Sequence, residues 1–232
     1  QKNLMNYYHE NLHKEIVVEK EKKKRKKKEI GKSITKSEAL AIIFSDNFEH
    51  RRNELDKKGR RIGMKAFVAN IDRETQLIED KAVVHNLNKM IEKTSKYRSF
   101  TGNLFYHHKH FTKEMLALLH VIVLDFDLDK AGLVMSKEEV FKLVKKKLGI
   151  ELSMIWDTNT TGNYQAAILI ENMTGHIQSV HLYEAISNEI CYQLGKAVDK
   201  SCASANHMFT VPQNNKRKGR TIRLYNEKRY NI

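Results

Sequence analysis

The sequence predicts an α/β (α+β) fold, a mixed central sheet with flanking helices. Three observations point there. Apolar residues make up 41% of the 232 positions, enough for a core and too many for a disordered chain. Segments of β-rich composition alternate with segments of helical periodicity. One stretch, His120 to Phe126 (HVIVLDF), is apolar enough to be a buried central strand.

From Asn3 to Glu29 the pattern is polar and helix-permissive, with few apolar anchors. Residues 1–35 therefore read as a basic extension, helical or disordered, ahead of one domain at 36–232. Thr35-Lys36-Ser37-Glu38 looks like a capping box that opens a helix carrying Leu40, Ile43 and Phe44. Arg61 to Ile71 has the composition of a strand. Leu77, Ile78, Val84, Leu87 and Ile91 make one stripe, predicting a helix over Thr75–Lys93.

Beyond the central strand, Ser136-Lys137-Glu138-Glu139 caps a helix that carries Val140, Phe141 and Val144 and stops at Gly149. Leu152–Trp156 and Tyr164–Ile170 read as strands around the turn Asp157–Gly162. Leu182–Leu194 is a helix, and Asn206–Val211 a last strand.

Lys and Arg number 42 against 28 Asp and Glu, a net charge of +14. The excess is clustered. Eight cations lie between Lys20 and Lys28, and a second group follows Asn215: Lys216, Arg217, Lys218, Arg220, Arg223, Lys228 and Arg229. Two such clusters predict salt-sensitive nucleic-acid binding, with the second closer to the candidate site. No apolar run reaches the roughly 18 residues of a bilayer span, so no membrane partner is expected. Two cysteines, Cys191 and Cys202, are too few for a disulfide framework and point to a reduced, cytoplasmic setting.

The chemistry sits in Val123-Leu124-Asp125-Phe126-Asp127. Alternate residues of a strand share a face, so both carboxylates point one way and Phe126 the other. Two carboxylates there repel unless a divalent cation neutralises them, and oxygen ligands suit Mg²⁺ or Mn²⁺. Asp129 falls in the loop. Thr161-Gly162-Asn163-Tyr164-Gln165 sets a glycine and small polar groups before a strand, where backbone amides approach a phosphate or sugar and Tyr164 or Gln165 adds a polar contact. The alternative is a plain hairpin turn. Further on, Asp199, Asn206-His207 and Val211-Pro212 bring an acid, a histidine and a basic loop together.

In that order these segments resemble the archaeo-eukaryotic primase, or primase–polymerase, superfamily. Within it they are most similar to replication initiators of theta-replicating plasmids from Gram-positive bacteria. The likeness spans about residues 97–231 and implies an RRM-type core. It implies that Asp125, Asp127 and Asp199 hold the metals and are catalytic. Gly162, Asn163, Tyr164, Gln165, His207, Lys216, Lys218 and Arg220 would bind a nucleoside triphosphate. Arg217 and Arg223 would bind DNA. The family's arginine before the proline is Thr210 here. A start at Gln1 and an end within a basic stretch read as those of a piece of a longer initiator, with further domains expected after Ile232.

Tyr106-His107-His108-Lys109-His110 does not fit the histidine metal site of rolling-circle initiators. Lys109 replaces the hydrophobe between the last two histidines, so Tyr106 and His107 read as stacking residues for single-stranded DNA. Two functions stay open: a metal-dependent primase–polymerase, and an initiator module that binds origin or single-stranded DNA with weak or no catalysis. An RNA-binding sheet domain without catalysis fits less well, because three unpaired acids on a nucleic-acid face oppose phosphate binding.

Overall fold

A computed structural model describes residues 30–44, 47–48, 51–55, 61–72, 74–106, 110–215 and 219–232. The chain divides into Gln1–Ile30 and Gly31–Ile232, and the second unit carries the fold. The run Lys20–Lys28 lies outside the described residues, as do His107–Lys109 and Lys216–Lys218.

Among the described residues, six strands make the main sheet: β1 (Lys32–Ile34), β7 (Leu104–Phe105), β8 (Leu116–Phe126), β9 (Met154–Asp157), β10 (Tyr164–Thr174) and β12 (Ile222–Leu224). Their order is β1-β12-β9-β10-β8-β7. A second sheet runs β11 (Met208–Thr210), β6 (Ser99–Thr101), β4 (Ala66–Ile71), β5 (Ile78–Val84), and β2 (Arg51–Leu55) pairs with β3 (Arg61–Gly63). The α/β class holds, and pairs between these strands run antiparallel. No helix among the described residues is long and apolar enough to cross a membrane.

Among the described residues, the α-helices are α1 (Lys36–Phe44), α2 (Leu87–Lys93), α3 (Lys137–Leu148) and α4 (Ile177–Leu194). Both expected capping boxes form. The Glu38 carboxylate accepts from Thr35 N at 2.7 Å, and Glu139 accepts from Ser136 N at 2.7 Å. Gly149 ends α3 in the left-handed region at φ 70°, which favours glycine.

The helix expected over Thr75–Lys93 is a correction. Ile78–Val84 is instead an edge strand paired with β4, and only Leu87–Lys93 is helical. Tertiary pairing overrides the stripe: the Asp72 carboxylate accepts from Thr75 N at 2.6 Å and closes the turn that sends the chain back along β4. Asn86 then caps α2 through Lys89 N at 2.9 Å.

The main sheet is covered on both faces. On one side α3 buries Val140, Phe141 and Val144, and Phe141 stacks on Tyr225 at 4.3 Å. On the other, Val121 and Val123 of β8 meet β6 and β11. A Cβ added to Gly102 would lie 3.3 Å from Val121 and 3.6 Å from Phe209, so a glycine is what lets the sheets approach. Ten of the eleven residues of β8 are buried; the exception is Asp125.

Candidate active site

The pairing of β8 with β10 decides where the first acid points. Asp125 stands opposite Gln165, which stands opposite Trp156, so this row faces the second sheet. Gln165 is only 3% exposed. Its side chain hydrogen-bonds Asp125, and its Oε1 accepts from Thr210 N at 2.9 Å. Trp156 Nε1 donates to Thr210 O at 3.0 Å. A buried amide thus joins the acid to β11, and Thr210 acts through its backbone.

Asn163 organises the turn after β8. Its Nδ2 donates to Asp127 Oδ1 at 2.7 Å and Asp129 Oδ1 at 2.6 Å, and its Oδ1 accepts from Asp129 N at 3.1 Å. The bond from Asn163 holds the Asp129 carboxyl below its usual range. Asp127 also forms an ion pair with Lys130, whose ammonium pKa is raised chiefly by that contact.

The third acid is fastened to the first. Asp199 N donates to Asp125 O at 2.8 Å, covering a length of β8 edge beyond its pairing with β7. Its carboxylate caps the 3-10 turn Lys200–Ala203 by accepting from Ser201 N at 2.8 Å. Asp125 therefore sits in a crowded field. Burial raises its pKa to about 6, the Gln165 hydrogen bond opposes, Asp127 and Asp199 raise it further, and Lys130 opposes. Burial pushes His207 down, with Asp199 opposing, which favours the neutral ring.

These groups line one cleft of about 620 Å³. Asp125, Asp127, Asn163, Gln165, Asp199 and His207 all line it. Arg98 and Ser99 close the far side from β6, and Thr158–Thr160 come from the β9–β10 turn. Arg98, Lys130 and Ser201 were missed in the sequence. Lys130 carried a usable signal, lying three residues past Asp127 in a turn. Arg98 carried none, because its place depends on the long-range pairing of β6 with β4 and β11.

Other expected residues are placed elsewhere. Tyr164 is opposite Phe126 and Asp157, on the α3 face, because β10 alternates; Lys137 lies 5.1 Å over its ring and bonds Asp157 at 2.7 Å. Gly162 forms the turn at φ 87°. Arg220 donates to Asn159 Oδ1 at 3.1 Å and Gln213 Oε1 at 3.0 Å, so it ties one loop to another. Arg223 is opposite Ile155, also on the α3 face. Tyr106 packs against the core. His107, Lys216, Arg217 and Lys218 lie outside the described residues.

The donor set is hard oxygen. Among the described residues, no three His, Cys, Asp or Glu side chains form a group that encloses a metal ion. Asp125 and Asp127 bring to the cleft carboxylate oxygens of the kind that would suit Mg²⁺ or Mn²⁺, ions commonly bound by one or two carboxylates with water and substrate phosphates.

No protein-family model matches the sequence, and no curated protein sequence matches it. Among solved structures, the chain is similar to the archaeo-eukaryotic primase domain of the cyanophage S-2L primase–polymerase. The identity is 9%, the match covers 72% of this chain and 84% of that one, and the TM-score is 0.47.

Proposed function

We propose that this chain is a DNA replication protein of the primase–polymerase type, adding nucleotides on a single-stranded DNA template. The carrying observation is the backbone bond from Asp199 N to Asp125 O, which brings a distant third acid beside Asp125 at the end of β8 and Asp127 just past it, all three lining one cleft. The order of motifs adds a likeness to plasmid initiators, and such a protein would work in the cytoplasm.

Asp125 and Asp127, with Asp199 beside them, would hold Mg²⁺ or Mn²⁺. The metal, when bound, would offset charge on the α-phosphate and the attacking 3′-oxygen. Gln165 keeps the Asp125 carboxylate aimed into the cleft. Arg98 provides a cation for phosphate oxygens, and Asn159, Thr158 and Thr160 offer hydrogen bonds to a sugar or phosphate. In the reaction, the 3′-oxygen forms a bond to the α-phosphorus, the bond to the β-phosphate oxygen breaks, and pyrophosphate leaves. The hydroxyl proton passes to solvent.

One observation favours the alternative, an initiator module with weak or no catalysis. Asp127 is already satisfied by Asn163 and Lys130. The test is incubation with labelled nucleotides, Mn²⁺ and a single-stranded template, with and without primer, beside Asp125→Ala. Products that vanish in the variant support the enzyme. If both proteins are inert and both bind DNA, the initiator module replaces it.

A further inference from the structure

A second cavity, of about 700 Å³, borders two of the same acids, Asp127 and Asp199. Asp127, Asp199 and Lys130 line both cavities, so these residues form a shared wall. The rest of the second cavity has a different chemistry. It takes Lys196 from the 3-10 turn after α4 and Lys200 from the turn that Asp199 caps. Gly195 makes the bend possible, ending α4 at φ 68° in a conformation that favours glycine.

Lys196 and Lys200 are exposed and form no salt bridge among the described residues. The Lys130 ammonium pairs with Asp127, and its side chain is 78% exposed. The first cleft adds amides, hydroxyls and a guanidinium; this one adds flexible point charges. Such a set attracts phosphates without reading a base or sugar.

We infer that the Lys130–Lys196–Lys200 cavity docks the backbone phosphates of a DNA strand, presenting its end to the acid wall while the first cleft takes the nucleotide. The inference rests on the proposed function for its choice of strand, and it replaces the loop after Pro212 as the main phosphate contact. It also gives the acid wall a geometric role, since Asp127 and Asp199 border both cavities. A free triphosphate shares the phosphate chemistry, and the experiment separates the two.

Binding of a fluorescent single-stranded oligodeoxynucleotide would be measured against salt for wild type, Lys196→Ala/Lys200→Ala and Lys146→Ala/Lys147→Ala. The last pair removes equal charge from exposed positions on α3. Manganese–nucleotide binding would be measured on the same proteins. The groove variant should bind DNA about tenfold more weakly at low salt. Its log K against log salt slope should be shallower by about 1.4, two contacts at the single-strand value. Its nucleotide binding should be unchanged, and the α3 variant should stay within about twofold of wild type.

Equal losses in both variants would mean diffuse attraction and overturn the groove. So would unchanged DNA binding in the groove variant. Lost nucleotide binding with intact DNA binding would make the cavity a free-triphosphate site, also overturning it. If wild type binds DNA through these lysines yet transfers no nucleotide, the groove stands and the enzyme reading falls.

Discussion

The two walls of the cleft that holds Asp125 are built on different principles. One is the end of β8 and β10, strands of eleven residues each, where Asp125, Asn163 and Gln165 are fixed by named hydrogen bonds. The other comes from β6 and β11, three residues each, and from the turn into β5, where Leu77 is 67% exposed. A long buried strand transmits the rigidity of the whole sheet to its last carboxylate. A short edge segment can adjust to a ligand. The contrast suggests that reacting groups belong to the first wall and gripping groups to the second.

The largest expected effect tests that division directly. Asp125→Ala should lower kcat by about 10²–10³-fold, the usual scale for losing one charge-stabilising group. Arg98→Ala, on the other wall, should raise the nucleotide KM about tenfold with kcat nearly unchanged, the signature of lost uniform binding. Steady-state kinetics on both variants would decide it. An equal fall in kcat would erase the distinction between the walls.

Next comes stability. The folded pKa of Asp125 is raised to about 6, so the folded state holds its proton more tightly than the unfolded chain. That stabilising contribution is complete below the unfolded pKa near 4 and is lost as pH rises through 6. Asp125→Asn removes the buried charge while keeping an acceptor for Gln165. It should stabilise the fold by up to about 3 kcal/mol at pH 7.5, with the gain closing toward pH 4. Urea midpoints at both pH values would show it. A gain independent of pH would mean that the cost is not electrostatic.

The first wall was also the legible one. β8 announces itself as an uninterrupted apolar run, and α3 by a capping serine and a terminal glycine. The position of Asp125 follows from strand alternation, whereas Asp127 lies just past the strand end, where Asn163 and Lys130 hold it. The same alternation puts Tyr164 on the far face, a consequence already contained in the strand assignment that placed Gln165. The second wall was hidden. Leu77, Ile78, Val84, Leu87 and Ile91 satisfy a helical stripe, yet the first three belong to an edge-strand region whose exposed residues carry little alternation. The short strands β1, β6, β7 and β12 have too few residues to show any period. Arg98 reaches the cleft only because Phe100 pairs with both Val68 and Phe209, contacts that local sequence does not encode.

Gln165→Ala should cost about 1–3 kcal/mol, because it leaves Thr210 N without its acceptor in a buried site. Gln165→Glu tests whether the loss is one of donor or of shape. It keeps the acceptor for Thr210 but sets a second acid against Asp125, and should be the worse variant above pH 7. Matching losses in both would show that the amide donor is the more important half.

The smallest expected effect is the one that most sharpens the comparison. Leu77 closes the turn into β5 through its backbone: its O accepts from Asp72 N at 2.9 Å, and its N donates to Thr75 Oγ1 at 3.4 Å. Its side chain is largely in water, so Leu77→Ser keeps both bonds and should change stability by no more than about 0.5 kcal/mol. Val123→Ala, in the packed layer behind Asp125, should instead cost about 2 kcal/mol, because the lost methyl groups leave a gap between two sheets. Both are read as shifts in a denaturant midpoint at constant slope. If Leu77→Ser costs as much as Val123→Ala, the second wall is as firmly packed as the first, and its exposed side chain is covered by something the isolated fold does not show.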